Sequence, residues 1–169
     1  MIINSRTNAS KYTITVRGRD CHTGTTDFKN RADAMLTAAK LILHSHNKAT
    51  ELGCLASTGI LKLKPGSTNT VPGFVQFSLD LRTPDDAKLL KLEQCLQSDF
   101  KAIAQGDDIG GLNAYGTKGK ACDVMWKTDS VSPAILFHDD CIKCVEESAN
   151  DHFGDGTSRR MTSGAGHDR

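Results

Sequence analysis

The 169-residue sequence predicts an α+β fold on three observations. Some segments alternate apolar and polar residues with the period of a strand, two longer ones repeat apolar residues at helical spacing, and the two kinds interleave along the chain. Hydrophobic residues make up 38% and charged residues 24%, the balance of a globular protein and not of a disordered one. The length suits one ordinary domain, or a small domain with pieces of another.

Tyr12, Ile14 and Val16 alternate with Lys11, Thr13, Thr15 and Arg17, a half-buried strand that Gly18 closes. Asn30 is the expected N-cap of the first helix, with Asp33 in its first turn. Met35, Ala38, Ala39 and Ile42 share a face of that helix, which runs to about Leu52 and stops at Gly53. A second strand is expected from Leu55 to Leu63, ended by Pro65-Gly66-Ser67. The third is the clearest: Val75, Phe77, Leu79 and Leu81 face one way, and Gln76, Ser78, Asp80 and Arg82 the other. Thr83 then reads as a cap, with Pro84 at the first helical position and Asp85 and Asp86 against the dipole. Leu89, Leu92, Leu96, Phe100 and Ile103 form the inner stripe of this second helix. Past a loop at Gly110-Gly111, the residues Cys122, Val124 and Trp126 predict a fourth strand. The order β-α-β-β-α-β from Lys11 to Asp129 is that of a ferredoxin-like domain, a four-stranded antiparallel sheet with both helices on one face. The edges of such a sheet are natural places for another sheet to pair.

The tail does not fit this unit, so the chain is divided at residues 1–130 and 131–169. Pro133 to Phe137 reads as a short buried strand, and Asp139 or Asp140 caps a helix through Cys144 and Val145 towards Phe153. A glycine-rich loop, Ser163 to Arg169, ends the chain. The tail strand has no partner in this scheme and is expected to fray.

The net charge of +1 is scattered, so no basic face argues for nucleic acid or a membrane surface. Aromatic residues, at 5%, do not supply base-stacking platforms. No apolar run has the length of a signal peptide or a bilayer span, and a cytoplasmic location is expected, with the six cysteines reduced. Cys141-Ile142-Lys143-Cys144 has no second pair and reads as two cysteines one helical turn apart, not as a metal or redox motif.

His22 stands where an extended segment ends, beside Thr23, Gly24, Thr25 and Thr26. Side chains that small leave backbone N–H groups open to an anion or a carbonyl oxygen; the bland alternative is a solvated loop histidine. His167 lies between Gly166 and Asp168, where a carboxylate can orient an imidazole for a metal, or where a polar tail simply ends. His44 and His46, two residues apart on a helix, point away from each other. His138 and His152 flank the tail helix without evident partners, and Glu146-Glu147 reads as a solvated face. Arg82 ends the clearest strand on its polar face, and Asn69 lies in the loop that enters it. A guanidinium can hold a carboxylate bidentately and an amide can orient a neighbouring group. The extended chain between them spans on the order of 30 Å. Either the loop folds back or two copies each contribute one residue; an edge arginine and a turn asparagine are the alternative.

Three segments carry a resemblance. HTGTTDFKNRADAM resembles the HAGTTPM-x-x-R-x-D-A signature of the zinc-dependent amidohydrolases that include the N-carbamoyl-amino-acid hydrolases and β-ureidopropionase, the fungal branch above all. NTVPGFVQFSLDLRTPDD resembles that family's N-x-V-P-G strand ending in D-x-R, and MTSGAGHDR resembles its S-G-A-G-H-D loop. The resemblance implies a zinc-binding catalytic domain into which a ferredoxin-like lid is inserted, the lid also making a homodimer. By motif match His167 is a ligand of a paired zinc site. His22 polarises the carbonyl of a small N-carbamoyl amino acid, in the facing subunit's site, and Asn69 and Arg82 hold the substrate carboxylate. Asp27 stands where the family has proline, which leaves the loop path open.

The family's other metal ligands and its general-base glutamate lie upstream of the lid, whereas this sequence starts at the lid's first strand. A single histidine does not hold a catalytic zinc, which takes at least three protein ligands. The expectation is therefore a lid with a C-terminal part of the catalytic domain, from a partial gene model, a split gene or a degenerate copy, inactive alone. A non-catalytic dimerisation module, or part of a related aminoacylase or dipeptidase, are the alternatives. Carbamoyl-β-alanine, carbamoyl-α-amino acids and allantoate all offer a carboxylate to Arg82.

Overall fold

A computed structural model of the chain describes residues 1–112 and 118–165. Along the chain run β1 (Ile2–Arg6), β2 (Asn8–Arg17), β3 (Cys21–His22), α1 (Ala34–Glu51), β4 (Leu55–Ser57) and β5 (Leu61–Lys64). They are followed by β6 (Thr70–Val71), β7 (Phe74–Thr83), α2 (Asp86–Ala104), β8 (Asp123–Ser132), β9 (Ile135–Leu136), α3 (Asp139–Phe153) and β10 (Arg160–Ser163). The fold mixes α and β structure in several sheets.

The main sheet has the order β4-β7-β2-β8, with β5 also on β7, and every pairing is antiparallel. Its register follows from the alternation in the sequence: Ile14 sits opposite Phe77 on one side and Trp126 on the other. A slip of one residue would turn each of these apolar side chains to the wrong face. Tyr12, Ile14, Val16, Val75, Phe77, Leu79 and Leu81 form one core with Ala34, Ala38 and Leu41 of α1 and Leu89, Leu92, Leu96 and Phe100 of α2. Both helices therefore cover the same face of the sheet. Tyr12 is buried there against Trp126, ring centroids 5.2 Å apart, and burial pushes its phenol up to about 12. A folded-state pKa above the ordinary 10 favours the native state at lower pH. That contribution is lost as pH rises through about 10 to 12, and following phenolate absorbance against unfolding should show the two together.

Apart from the cap of the tail helix, which is His138 and not Asp139 or Asp140, and the exposure of Leu136 in the tail strand expected to be buried, the elements differ from expectation at four places. The first helix is capped by Asp33, which accepts the Leu36 N–H at 2.8 Å, while Asn30 ends a short 3-10 turn. The cause is the intervening chain: Ala32 accepts Arg19 N–H at 2.9 Å and Arg31 accepts Lys120 N–H at 2.7 Å, holding it extended. The second helix is capped by Asp85, not Thr83, because Thr83 is still paired with Asn8, whose amide oxygen accepts its N–H at 3.0 Å. The expected strand 55–63 is split into β4 and β5. Five residues from Ser57 to Leu61 face four from Asp80 to Phe77, and Ser78 Oγ accepts the Gly59 and Ile60 N–H groups of the bulge at 3.2 and 3.0 Å.

The fourth difference is the tail, whose strands have partners within the described residues. β1 lies in a separate sheet of order β10-β1-β9, parallel to β10 and antiparallel to β9. The N-terminal segment Ile2–Arg6, too short and polar to announce a strand, is the partner that the tail strands were missing. Ile142 of α3 is buried, and Arg160 of β10 grips Glu146 of α3 with two bonds of 2.6 and 2.8 Å.

Gly18 is required at the end of β2. A Cβ there would lie 2.0 Å from the Ala32 carbonyl oxygen, a backbone atom that the Arg19 N–H already holds. Gly18→Ala is expected to cost about 1–3 kcal/mol, read as a fall in Tm by circular dichroism.

Candidate functional site

Two short strands build the first half of the site. β3 and β6 pair antiparallel, Cys21 with Val71 and His22 with Thr70, and Thr23 N–H donates to the Asn69 carbonyl at 2.9 Å. His22 and Asn69 are thus brought together by backbone bonds. The base of this ribbon is fixed by Asp20, whose carboxylate accepts Gly73 N–H, and a Cβ at Gly73 would lie 2.6 Å from the Asp20 nitrogen. Glycine is needed where the two segments cross.

The His22 ring is exposed, and Gly24 N–H donates to its Nδ1 at 3.0 Å. An Nδ1 that accepts a hydrogen bond carries no hydrogen, so the neutral ring has its proton on Nε2. The turn is tight enough that a Cβ on Gly24 would sit 3.3 Å from His22 Cε1. Arg31 staples the loop from below: its Nε donates to Thr26 O at 2.8 Å, its Nη2 to Thr23 O at 2.6 Å, and its guanidinium lies 4.6 Å from the Phe28 ring centroid. Asp27 starts the 3-10 turn, with its carboxylate 3.7 Å from Lys29 Nζ and 3.4 Å from Asn30 Nδ2. Its charge is directed at those neighbours.

Arg82 is at the other end of β7. Phe74 opens that strand beside the Asn69 loop, and Arg82 comes eight residues later, roughly 26 Å along an extended chain. Arg82 Nε and Nη2 each donate to Asp80 at 2.9 Å, and Nη1 donates to the Gly164 carbonyl. The Asp80 carboxylate raises the pKa of the guanidinium further above its ordinary value. The loop does not fold back: Asn69 lies with His22, and Arg82 lies with the SGA segment of the C-terminal loop.

His167 lies outside the described residues. Among the described residues no group of three or more His, Cys, Asp or Glu side chains is arranged to hold a metal ion, so these residues do not by themselves fit one. Three of the other histidines have structural partners. His44 Nε2 meets Asp99 at 2.8 Å between α1 and α2, His138 caps α3 through the Asp140 N–H at 3.3 Å, and His152 bonds the Ser148 carbonyl at 2.8 Å. Cys141 and Cys144 are exposed on α3 as free thiols. No helix among the described residues is long and apolar enough to cross a membrane.

Asp20, Asp80 and Arg31 were not singled out from the sequence. Arg31 has a signal in the spacing of the R-x-D after the His22 loop. Asp80 has one in its position two residues before Arg82, on the same strand face.

Residues 4–108 match the peptidase dimerisation domain. The N-carbamoyl-L-amino-acid amidohydrolase of Paenarthrobacter aurescens is 32% identical over 170 residues, which covers 99% of this chain and 37% of that protein. The allantoate amidohydrolase of Escherichia coli (strain K12) is 32% identical over 111 residues, 64% of this chain and 27% of the relative. A crystal structure of an amidase of the hydantoinase/carbamoylase family from Burkholderia vietnamiensis superposes with a TM-score of 0.83 at 30% identity, over 98% of this chain and 37% of that one. The chain thus spans about a third of the length of the proteins it matches. With the dimerisation-domain match over most of its length and relatives of these kinds, the chain belongs to the M20-type carbamoylase/amidohydrolase family.

Proposed function

We propose that this chain is the lid and dimerisation part of a zinc-dependent hydrolase that cleaves a linear C–N bond in N-carbamoyl amino acids, and that each of its sites is shared between two subunits. The lid is the ferredoxin-like unit within residues 1–130, from β2 to β8, which the β4-β7-β2-β8 order supports, and residues 131–169 belong with the catalytic domain, together with β1, which pairs with β9 and β10. His22 donates its Nε2 hydrogen to the carbamoyl oxygen as negative charge develops there. Asn69 and Arg82 hold the amino-acid carboxylate. The observation that carries the reading is the separation within one chain: His22 and Asn69 at one end of β7, Arg82 and Gly164 at the other. A small substrate reaches both only across a dimer, with His22 and Asn69 from one protomer and Arg82 from its partner.

The dimer face follows from the fold. β4 and β5 pair on one side only, with β7, among the described residues. Leu55, Ile60 and Leu61 on this edge, and Leu43 of α1 beside it, are exposed apolar residues. A free sheet edge flanked by such a face is suited to an isologous contact with a second copy. Activation of the attacking water is assigned to no described residue. Zinc, where held, would supply that chemistry with ligands besides His167.

The test is complementation in a chimera of the Paenarthrobacter aurescens relative whose matching region is replaced by this chain. His22→Ala and Arg82→Ala chimeras are each expected to be nearly inactive. Dissociated, mixed and reassembled, they should recover roughly a quarter of the unmutated activity, since half the dimers are mixed and each of those has one intact site. No recovery from dimers shown to be mixed would refute the shared site.

A further inference from the structure

Arg82 is already engaged in the free chain, and the way it is engaged leaves a defined remainder. Asp80 and Arg82 are two residues apart on β7 and share its polar face, so the contact needs no movement of the backbone. Asp80 takes one hydrogen from Nε and one from Nη2, both at 2.9 Å, and Gly164 takes one from Nη1. A guanidinium has five N–H groups. Two remain, one on each Nη nitrogen, and the side chain is 32% exposed beside a 24% exposed Asp80.

We infer that Asp80 is a positioning residue for substrate recognition: it pins the guanidinium by its Nε–Nη2 edge so that the remaining Nη hydrogens are presented to a carboxylate in a fixed direction. The inference rests on the reading of Arg82 as the carboxylate-binding residue. Asp80 also balances the arginine's charge, so the bound carboxylate is selected by the direction of its hydrogen bonds more than by net attraction. The Gly164 carbonyl fixes the third point of the plane. Gly164 lies three residues before His167 in the sequence, within the same S-G-A-G-H-D segment.

Positioning and simple charge balance predict opposite signs. If Asp80 only offset the positive charge, Asp80→Asn would leave a more positive Arg82 and tighten carboxylate binding. If Asp80 orients Arg82, the same substitution frees the guanidinium and weakens it.

The experiment uses the full chain labelled with 15N at arginine. Its Nε–H resonances are followed while N-carbamoylglycine, or its carboxamide, is added to the millimolar range. In the unmutated chain the acid should shift the Arg82 signal and the carboxamide should not, and Arg82→Lys should abolish that preference. Asp80→Asn, with an unchanged unfolding transition, should weaken acid binding about tenfold and speed exchange of the Arg82 Nε hydrogen. Acid binding by Asp80→Asn that equals or exceeds the unmutated value, while Arg82→Lys still loses it, overturns the role of Asp80 and leaves Arg82 standing. An unmutated chain whose Arg82 ignores the acid removes the reading of Arg82, and the inference with it.

Discussion

His22→Ala in the chimeric hydrolase is expected to lower kcat by about 10²–10³-fold with little change in KM, measured on an N-carbamoyl amino acid. The size follows from what the ring is arranged to do. Gly24 N–H occupies Nδ1 at 3.0 Å, so the neutral imidazole has one hydrogen to give, on Nε2. Arg31 holds the carbonyls of Thr23 and Thr26 at 2.6 and 2.8 Å, so the loop under the ring is set before substrate arrives. A donor fixed in place gains most when the carbonyl oxygen becomes an oxyanion, and its loss therefore falls on kcat and not on binding. His22→Asn keeps an N–H of shorter reach and should retain part of the rate. The ring is exposed and belongs to no core cluster, so Tm should stay within experimental scatter of the unmutated chain. A loss confined to KM would show that His22 binds the ground state and does not respond to developing charge.

Phe100→Ala is expected to destabilise the fold by about 3–5 kcal/mol. Phe100 is fully buried on α2, with its ring centroid 5.1 Å from that of Trp126, which in turn meets Tyr12 at 5.2 Å. Removing the ring opens a cavity between α2 and the β2–β8 side of the sheet, where the neighbouring side chains are already fixed by the strand register. A Tm decrease of roughly 6–20 °C follows for a chain of this size. Trp126 is the only tryptophan, so its fluorescence should report the altered packing directly. Phe100→Leu fills much of the space and should cost under about 1.5 kcal/mol. If the dimer forms as proposed, both transitions depend on protein concentration and are to be compared at one concentration.

The main sheet was legible because its strands obey a period of two on a half-buried surface. Val75, Phe77, Leu79 and Leu81 admit only one orientation, and Tyr12, Ile14 and Val16 match them across the ladder. The inner stripe of α2 was legible for the same reason at helical spacing. The caps were not, since they depend on where a neighbouring segment releases the chain: Asn8 keeps Thr83 in β7, and Arg19 and Lys120 keep Arg31 and Ala32 extended. β1 was invisible because its partners lie more than a hundred residues away and no local pattern encodes them. In the site, His22, Asn69 and Arg82 were visible by residue type and motif. Their grouping was not, because it is set by the β3–β6 ribbon, whose two-residue strands are below any periodicity. Asp80 and Arg31 stood in the D-x-R and R-x-D motifs, but their roles were not assigned, because a charged residue on a wet face is ordinarily solvated and their partners show only in the hydrogen bonds.

The β1–β10 pairing joins Ile2 to Arg160, almost the whole length of the chain. Such a contact closes the largest loop in the molecule, so the entropy it must overcome is higher than for the β2–β7 ladder and it is expected to form late in folding. During synthesis on a ribosome β1 emerges before β10 and waits for it, so the β2 to β8 unit can assemble while that pairing is still open. Pulse-labelling hydrogen exchange during refolding should accordingly protect the amides of Ile14 and Phe77 before those of Ile3 and Met161.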